Sequence, residues 1–107
     1  MNITVTGHHV VVTDAIRDYV TAKMEKVTRL YDEVISISVI LSVDKLEQKA
    51  EVTVRVRGKE IFVESKAEDL YAAIDGMEEK ISRQIVKYKQ KQQDRGTDSV
   101  RFSSGEE

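Results

Sequence analysis

The period at which apolar residues recur switches between two and about 3.6 along this chain, and each switch marks an element. Ile3 and Val5 alternate with Thr4 and Thr6, which predicts a short strand. Gly7-His8-His9 interrupts it, and Val10-Val11-Val12 leads to Thr13, a suitable helix N-cap followed by the acidic Asp14. Ile16, Tyr19, Val20, Met24, Val27, Leu30 and Tyr31 then recur at helical spacing, so residues 14–31 read as an amphipathic helix. Asp32-Glu33 ends it. Ile35, Ile37, Val39, Leu41 and Val43 alternate with Ser36, Ser38 and Ser42 and predict a strand over 34–43 with all five apolar residues inward. A polar turn is expected at 44–49. Beyond it Ala50, Val52, Val54 and Val56 alternate with Glu51, Thr53, Arg55 and Arg57, Gly58-Lys59 makes a hairpin turn, and residues 60–66 return with Ile61, Val63 and Ser65 on one face.

The last element is a second helix. Leu70, Ala73, Ile74, Met77, Ile81, Ile85 and Tyr88 form an apolar stripe over about residues 69–92. Gly76 lies inside this helix at a cost of roughly 1 kcal/mol relative to Ala, and its wheel position, off the apolar stripe, gives it no packing reason. Residues 95–107 contain turn formers and few apolar side chains, and read as a disordered tail after a domain of residues 1–94. The order is β-α-β-β-β-α. An α+β fold is therefore expected, a four-stranded sheet with two helices packed on one face.

A length of 107 residues fits one domain with a modest core. The absence of cysteine excludes disulfide frameworks, thiolate metal sites and cysteine nucleophiles. Residues 1–6 lack the basic stretch and apolar run of a signal peptide, and no segment is apolar enough to span a bilayer, so a cytoplasmic protein with no membrane partner is expected.

Charge changes the picture more than composition does. The net charge of -2 argues against a polyanionic partner, but its distribution reverses that reading. Residues 1–79 carry 10 basic and 15 acidic side chains, whereas residues 80–95 carry Lys80, Arg83, Lys87, Lys89, Lys91 and Arg95 against Asp94 alone. On a helical wheel with Ile16 at zero, Lys23, Lys26 and Arg29 fall at about 340°, 280° and 220°, while Asp14, Asp18 and Glu25 gather near 160–200°. With Leu70 at zero, Lys80, Arg83, Lys87 and Lys91 lie at about 220–300°, and Asp75, Glu78 and Glu79 at about 80–180°. Like charges at helical neighbour spacing cost a few tenths of a kcal/mol per pair, a cost that a phosphate backbone would relieve. Two sorted helices side by side predict one broad positive band facing away from the sheet. Phe62 is the single candidate for a base-stacking aromatic on a strand, so binding is expected to read RNA shape and phosphates rather than base sequence.

The chemistry of catalysis is not legible here. His8-His9 has no third ligand at metal spacing, the strand serines lack an elbow motif, and Gly7 and Gly58 are isolated turn glycines. No enzyme, cofactor, metal or small-molecule substrate is expected.

The segment from Gly7 to Val20, GHHVVVTDAIRDYV, resembles the strand-to-helix junction of the ribosome hibernation promoting factor and ribosome-associated inhibitor family. The segment Asp69–Met77, DLYAAIDGM, followed by Lys80, Arg83-Gln84, Lys87, Lys89 and Lys91, resembles that family's second helix. The likeness covers about residues 1–94 and is closest to the short form. It implies binding to the 30S subunit and 70S ribosome at the channel for messenger and transfer RNA. Lys23, Lys26, Arg29, Lys80, Arg83, Lys87, Lys89 and Lys91 would contact 16S ribosomal RNA. Inhibited translation, inactive 70S or 100S ribosomes and a chain that is monomeric when free are further implications. The alternative is a free-standing double-stranded RNA-binding module, which shares the α-β-β-β-α order. Such modules grip phosphates with a lysine cluster at the start of their second helix, where this chain has Ala67-Glu68-Asp69.

Overall fold

The computed structural model describes residues 2–97, with side-chain surroundings through residue 91. Strand β1 (Asn2–His8) leads into helix α1 (Asp14–Leu30), whose first turn is capped by Thr13. The Thr13 hydroxyl accepts the Ile16 N–H at 3.2 Å, satisfying one of the orphan donors of the helix start. Strands β2 (Val34–Asp44), β3 (Glu47–Val56) and β4 (Lys59–Ala67) follow, then helix α2 (Leu70–Thr97). Asp69 caps α2, its carboxylate accepting the Ala72 N–H at 3.0 Å and its carbonyl the Ala73 N–H at 3.1 Å.

The sheet order is β1-β2-β3-β4. β1 and β2 are parallel, joined by α1 as a crossover, and the other pairs are antiparallel. Both helices cover one face. Val5, Ile37, Val39, Leu41, Val52, Val54 and Ile61 of the sheet pack against Val20, Met24 and Val27 of α1 and Ala73, Ile74, Met77, Ile81 and Ile85 of α2 in one buried cluster. The opposite face carries Thr4, Ser38, Thr53 and Phe62 in one cross-strand row. Phe62 is exposed there.

Four details depart from the sequence expectation. A register irregularity between Val34 and Ser36 turns Val34 into the core and leaves Ile35 52% exposed, so the strict alternation that put Ile35 inside fails at a bulge. The expected turn at 44–49 shrinks to Lys45-Leu46, because the polar Gln48 and Lys49 pair across the strands with Val43 and Ser42. Helix α2 continues through Arg95–Thr97, which the sequence places in the tail; the Gln- and Lys-rich stretch before Gly96 contains no strong helix breaker. Residues 98–107 of that expected tail lie outside the described residues. Finally, Gly76 does have a packing reason. A Cβ there would collide with the hydroxyl of Ser65, a buried residue on β4, so glycine is what lets α2 settle onto the sheet.

Candidate nucleic-acid interface

Helices α1 and α2 advance in the same direction. Tyr19 lies against Tyr71 and Asp75, and one helix length further on Tyr31 meets Tyr88 edge to face with ring centroids 5.7 Å apart. Their N-terminal halves are clasped by charge and hydrogen bonds. The Tyr19 hydroxyl donates to Asp75 Oδ1 at 2.5 Å, and Lys23 Nζ lies 3.4 Å from the same oxygen and 5.3 Å from the Tyr19 ring centroid. Asp75 is held below the usual carboxylate range by the Tyr19 hydrogen bond and, against the pull of partial burial, by Lys23 and the charge of Lys26. Tyr19 is raised by its hydrogen bond to Asp75 first, then by partial burial and the carboxylate charge. Partial burial pulls Lys23 down, but the hydrogen bond and charge of Asp75, with Tyr19 and Glu78, outweigh it and leave its pKa raised.

The eight basic residues singled out in the sequence fall into two sets. Three are tied to the protein itself. Lys23 is half-buried in the clasp, Lys80 Nζ donates to the Glu64 carbonyl at 2.9 Å, and the exposed Arg83 pairs with Glu79 at 3.3 Å. The other five, Lys26, Arg29, Lys87, Lys89 and Lys91, are exposed, and among the described residues none of them forms an ion pair. Lys26, Lys80, Arg83 and Lys87 line one shallow depression together with Glu78, and Leu30, Val63 and Val86 make its apolar part.

The broad band expected along both helices is thus modified. Lys23 and Lys26 flank the side of α2 that carries Asp75 and Glu78, so acids separate the two basic stripes over the N-terminal half. Past Glu79 the next acid in α2 is Asp94, and the positive surface gathers at the C-terminal half. Lys89 lies apart from its neighbours. At about 100° from Leu70 it faces the α1 side, whereas Lys87 at about 260° faces the β4 side.

Two further cations come to this end unforeseen. The β3–β4 turn, Arg57-Gly58-Lys59, reaches Tyr88 in the C-terminal half of α2: the Tyr88 hydroxyl donates to the Arg57 carbonyl at 3.2 Å, and Lys59 Nζ lies 5.5 Å from the Tyr88 ring centroid. The Gly58 turn is readable in the sequence, but strand alternation does not reveal which helix end the hairpin meets. Glu68 and Asp69 at the start of α2 are exposed, and the Asp69 carboxylate is used as a cap. Carboxylates therefore stand where a double-stranded RNA-binding module needs lysines. Among the described residues no group of three metal-ligating side chains occurs, and no helix is long and apolar enough to cross a membrane.

A small α+β domain with sign-sorted parallel helices is a class to which known proteins can be compared. The family model described as sigma 54 modulation protein / S30EA ribosomal protein matches residues 3–93, and the chain belongs to this family. A ribosome hibernation promoting factor of Azotobacter vinelandii is 44% identical over 95 residues, 89% of each chain. The factor of that name from Escherichia coli K12 is 38% identical over 85% of this chain and 96% of its own. Among solved structures, the N-terminal domain of protein Y from Thermus thermophilus superposes with a TM-score of 0.77 at 36% identity, covering 82% of this chain and 99% of that one. A ribosomal subunit interface protein from Coxiella burnetii gives 0.80 at 28% identity, covering 84% and 99%.

Proposed function

We propose that this chain is a ribosome hibernation factor, a non-enzymatic cytoplasmic protein that binds the small ribosomal subunit and silences translation. Its site is the messenger and transfer RNA channel of the 30S subunit, where the helix cations neutralise phosphates of 16S ribosomal RNA. The bound ribosome is held as an inactive 70S or 100S particle. Residues 1–94 are the binding domain, and the free chain is monomeric.

The observation that carries this reading is the cluster of exposed cations on the C-terminal half of the helix pair that, among the described residues, form no ion pair. Lysine and arginine so placed neutralise phosphates and release counterions, which makes binding strong at low salt and indifferent to base sequence. The names of the relatives supply the ribosome as the polyanion. Sedimentation of a lysate through a sucrose gradient at low salt tests the reading. The protein is expected in the 30S and 70S fractions, and the purified protein is expected to inhibit cell-free translation. Recovery in the soluble top fractions alone would refute it.

A further inference from the structure

The β3–β4 hairpin has no place in the helix-based surface, yet the fold brings it to the basic end of the molecule. We infer that Arg57 and Lys59 form a second phosphate-binding arm, which grips the RNA backbone together with the stretch of α2 around Tyr88; the inference rests on the RNA-binding reading above.

Four observations lead there. First, the hairpin is anchored. Gly58 takes φ +80°, a left-handed conformation suited to glycine, so the turn is tight, and the Tyr88 hydroxyl pins the Arg57 carbonyl at 3.2 Å. An anchored cation loses less freedom on meeting a phosphate than one on a free loop. Second, the two side chains lie close to the C-terminus of α1 and to Tyr88 of α2. Lys59 Nζ stands 5.5 Å from the ring centroid of Tyr88, whose chain neighbours include Lys87, Lys89 and Lys91. The Arg57 charge is felt at the Tyr31 hydroxyl, whose pKa is raised by partial burial and then by Glu33 and Tyr88, with Arg57 opposing. Both Arg57 and Lys59 are exposed.

Third, the nearest acids do not cancel this charge. Glu60, next in the chain to Lys59, is engaged by Arg55 at 3.1 Å. Asp32 and Glu33 in the turn after α1, and Asp94 further along α2, are outnumbered by Arg29, Arg57, Lys59, Lys87, Lys89 and Lys91. Fourth, the crowding is unfavourable within the protein. Lys59 over the Tyr88 ring and Arg57 beside it add like charge to a helix stretch that already carries Lys87 and Lys91, and such charges repel one another until a polyanion arrives. The ligand that fits is a phosphodiester backbone passing between the hairpin and α2.

The test measures binding of the full chain to purified 30S subunits at a series of potassium concentrations and fixed magnesium. The parent is compared with R57A/K59A and with the charge-preserving R57K/K59R. The double alanine variant is expected to bind about tenfold more weakly at moderate salt, with the log–log salt slope reduced by roughly 1.4–1.8, the value for two phosphate contacts. R57K/K59R should restore both, and all three proteins should melt alike. An unchanged affinity and slope in R57A/K59A would overturn the inference while leaving the ribosome-binding reading intact. Weaker binding at an unchanged slope would also overturn it, because the hairpin would then touch a ribosomal protein rather than phosphates. So would a loss that R57K/K59R fails to restore and that a lowered melting temperature accompanies, since the pair would then be structural. A parent that does not bind 30S subunits overturns the ribosome-binding reading itself, and this inference with it.

Discussion

The two ends of the helix pair use charge in opposite ways. At the N-terminal halves several polar groups are tied down within the protein: Tyr19 and Lys23 on Asp75, Asp69 on the α2 backbone, Thr13 on the α1 backbone. Toward the C-terminal halves Lys26, Arg29, Lys87, Lys89 and Lys91 stand exposed without an ion pair among the described residues. The fold is locked at one end and left electrostatically unsatisfied at the other. Arg29 in the last turn of α1 complements the helix dipole, but like charges at helical neighbour spacing such as Lys87 and Lys91 repel one another, so the second end is the one to read for a partner.

Charge reversal should break the comparison most sharply. K87E/K91E is expected to weaken binding to 30S subunits by about a hundredfold at low salt while changing stability by no more than about 0.5 kcal/mol. Equilibrium binding and urea denaturation report the two quantities. In the same assay K23A should lose less affinity than K26A, because Lys23 is already held by Asp75; equal losses would mean that the clasp opens on binding.

The next effect concerns stability at the locked end. G76A should destabilise by about 1–3 kcal/mol, although alanine is the better helix former by roughly 1 kcal/mol, because its methyl group meets Ser65. Combining it with S65G should recover much of that loss as a coupling energy in a double-mutant cycle, and additive losses would disprove the contact. A smaller effect is expected in the salt response. The log affinity of the parent should fall linearly with log potassium, with a slope of roughly 0.7–0.9 per phosphate. Deleting residues 98–107, which add no net positive charge, should leave that slope unchanged.

The smallest change is in acid stability. Asp75 has a depressed pKa in the fold, so its contribution is present above its unfolded value and disappears as pH falls through the folded one. D75N should therefore be less stable than the parent near neutrality, start to converge on it below the ordinary aspartate value of about 3.9, and meet it only once pH has fallen through the still lower folded value. Urea midpoints measured across this range check the sign. A gap that stays constant with pH would show that the clasp works without the carboxylate charge.

The elements were legible because each carries its own period: every strand and helix appears in the expected order, and Thr13 caps α1 as its side chain suggests. What escaped depends on contacts between elements. Gly76 looks gratuitous on a wheel because the wheel does not contain Ser65, eleven positions earlier on another element. Val34 and Ile35 are equally apolar, and only the pairing of β2 with β3 decides which one turns inward. The basic stripes could be drawn for each helix separately, yet the side of α2 that meets α1 is fixed by packing, and that side bears Asp75 and Glu78. Arg57 and Lys59 joined the basic end for the same reason, through a tyrosine 31 positions away from Arg57.

Spatial order in the sheet repeats chain order, β1-β2-β3-β4, so each strand pairs with one already made as the chain is synthesised. Helix α2 comes last, and it alone supplies Leu70, Ala73, Ile74, Met77, Ile81 and Ile85 to the cover over β3 and β4. Until it docks, Val52, Val54 and Ile61 face water and the nascent domain remains unfinished. The same late helix carries Lys87, Lys89 and Lys91. Docking of α2 therefore closes the core and brings its basic stretch into place in the same step.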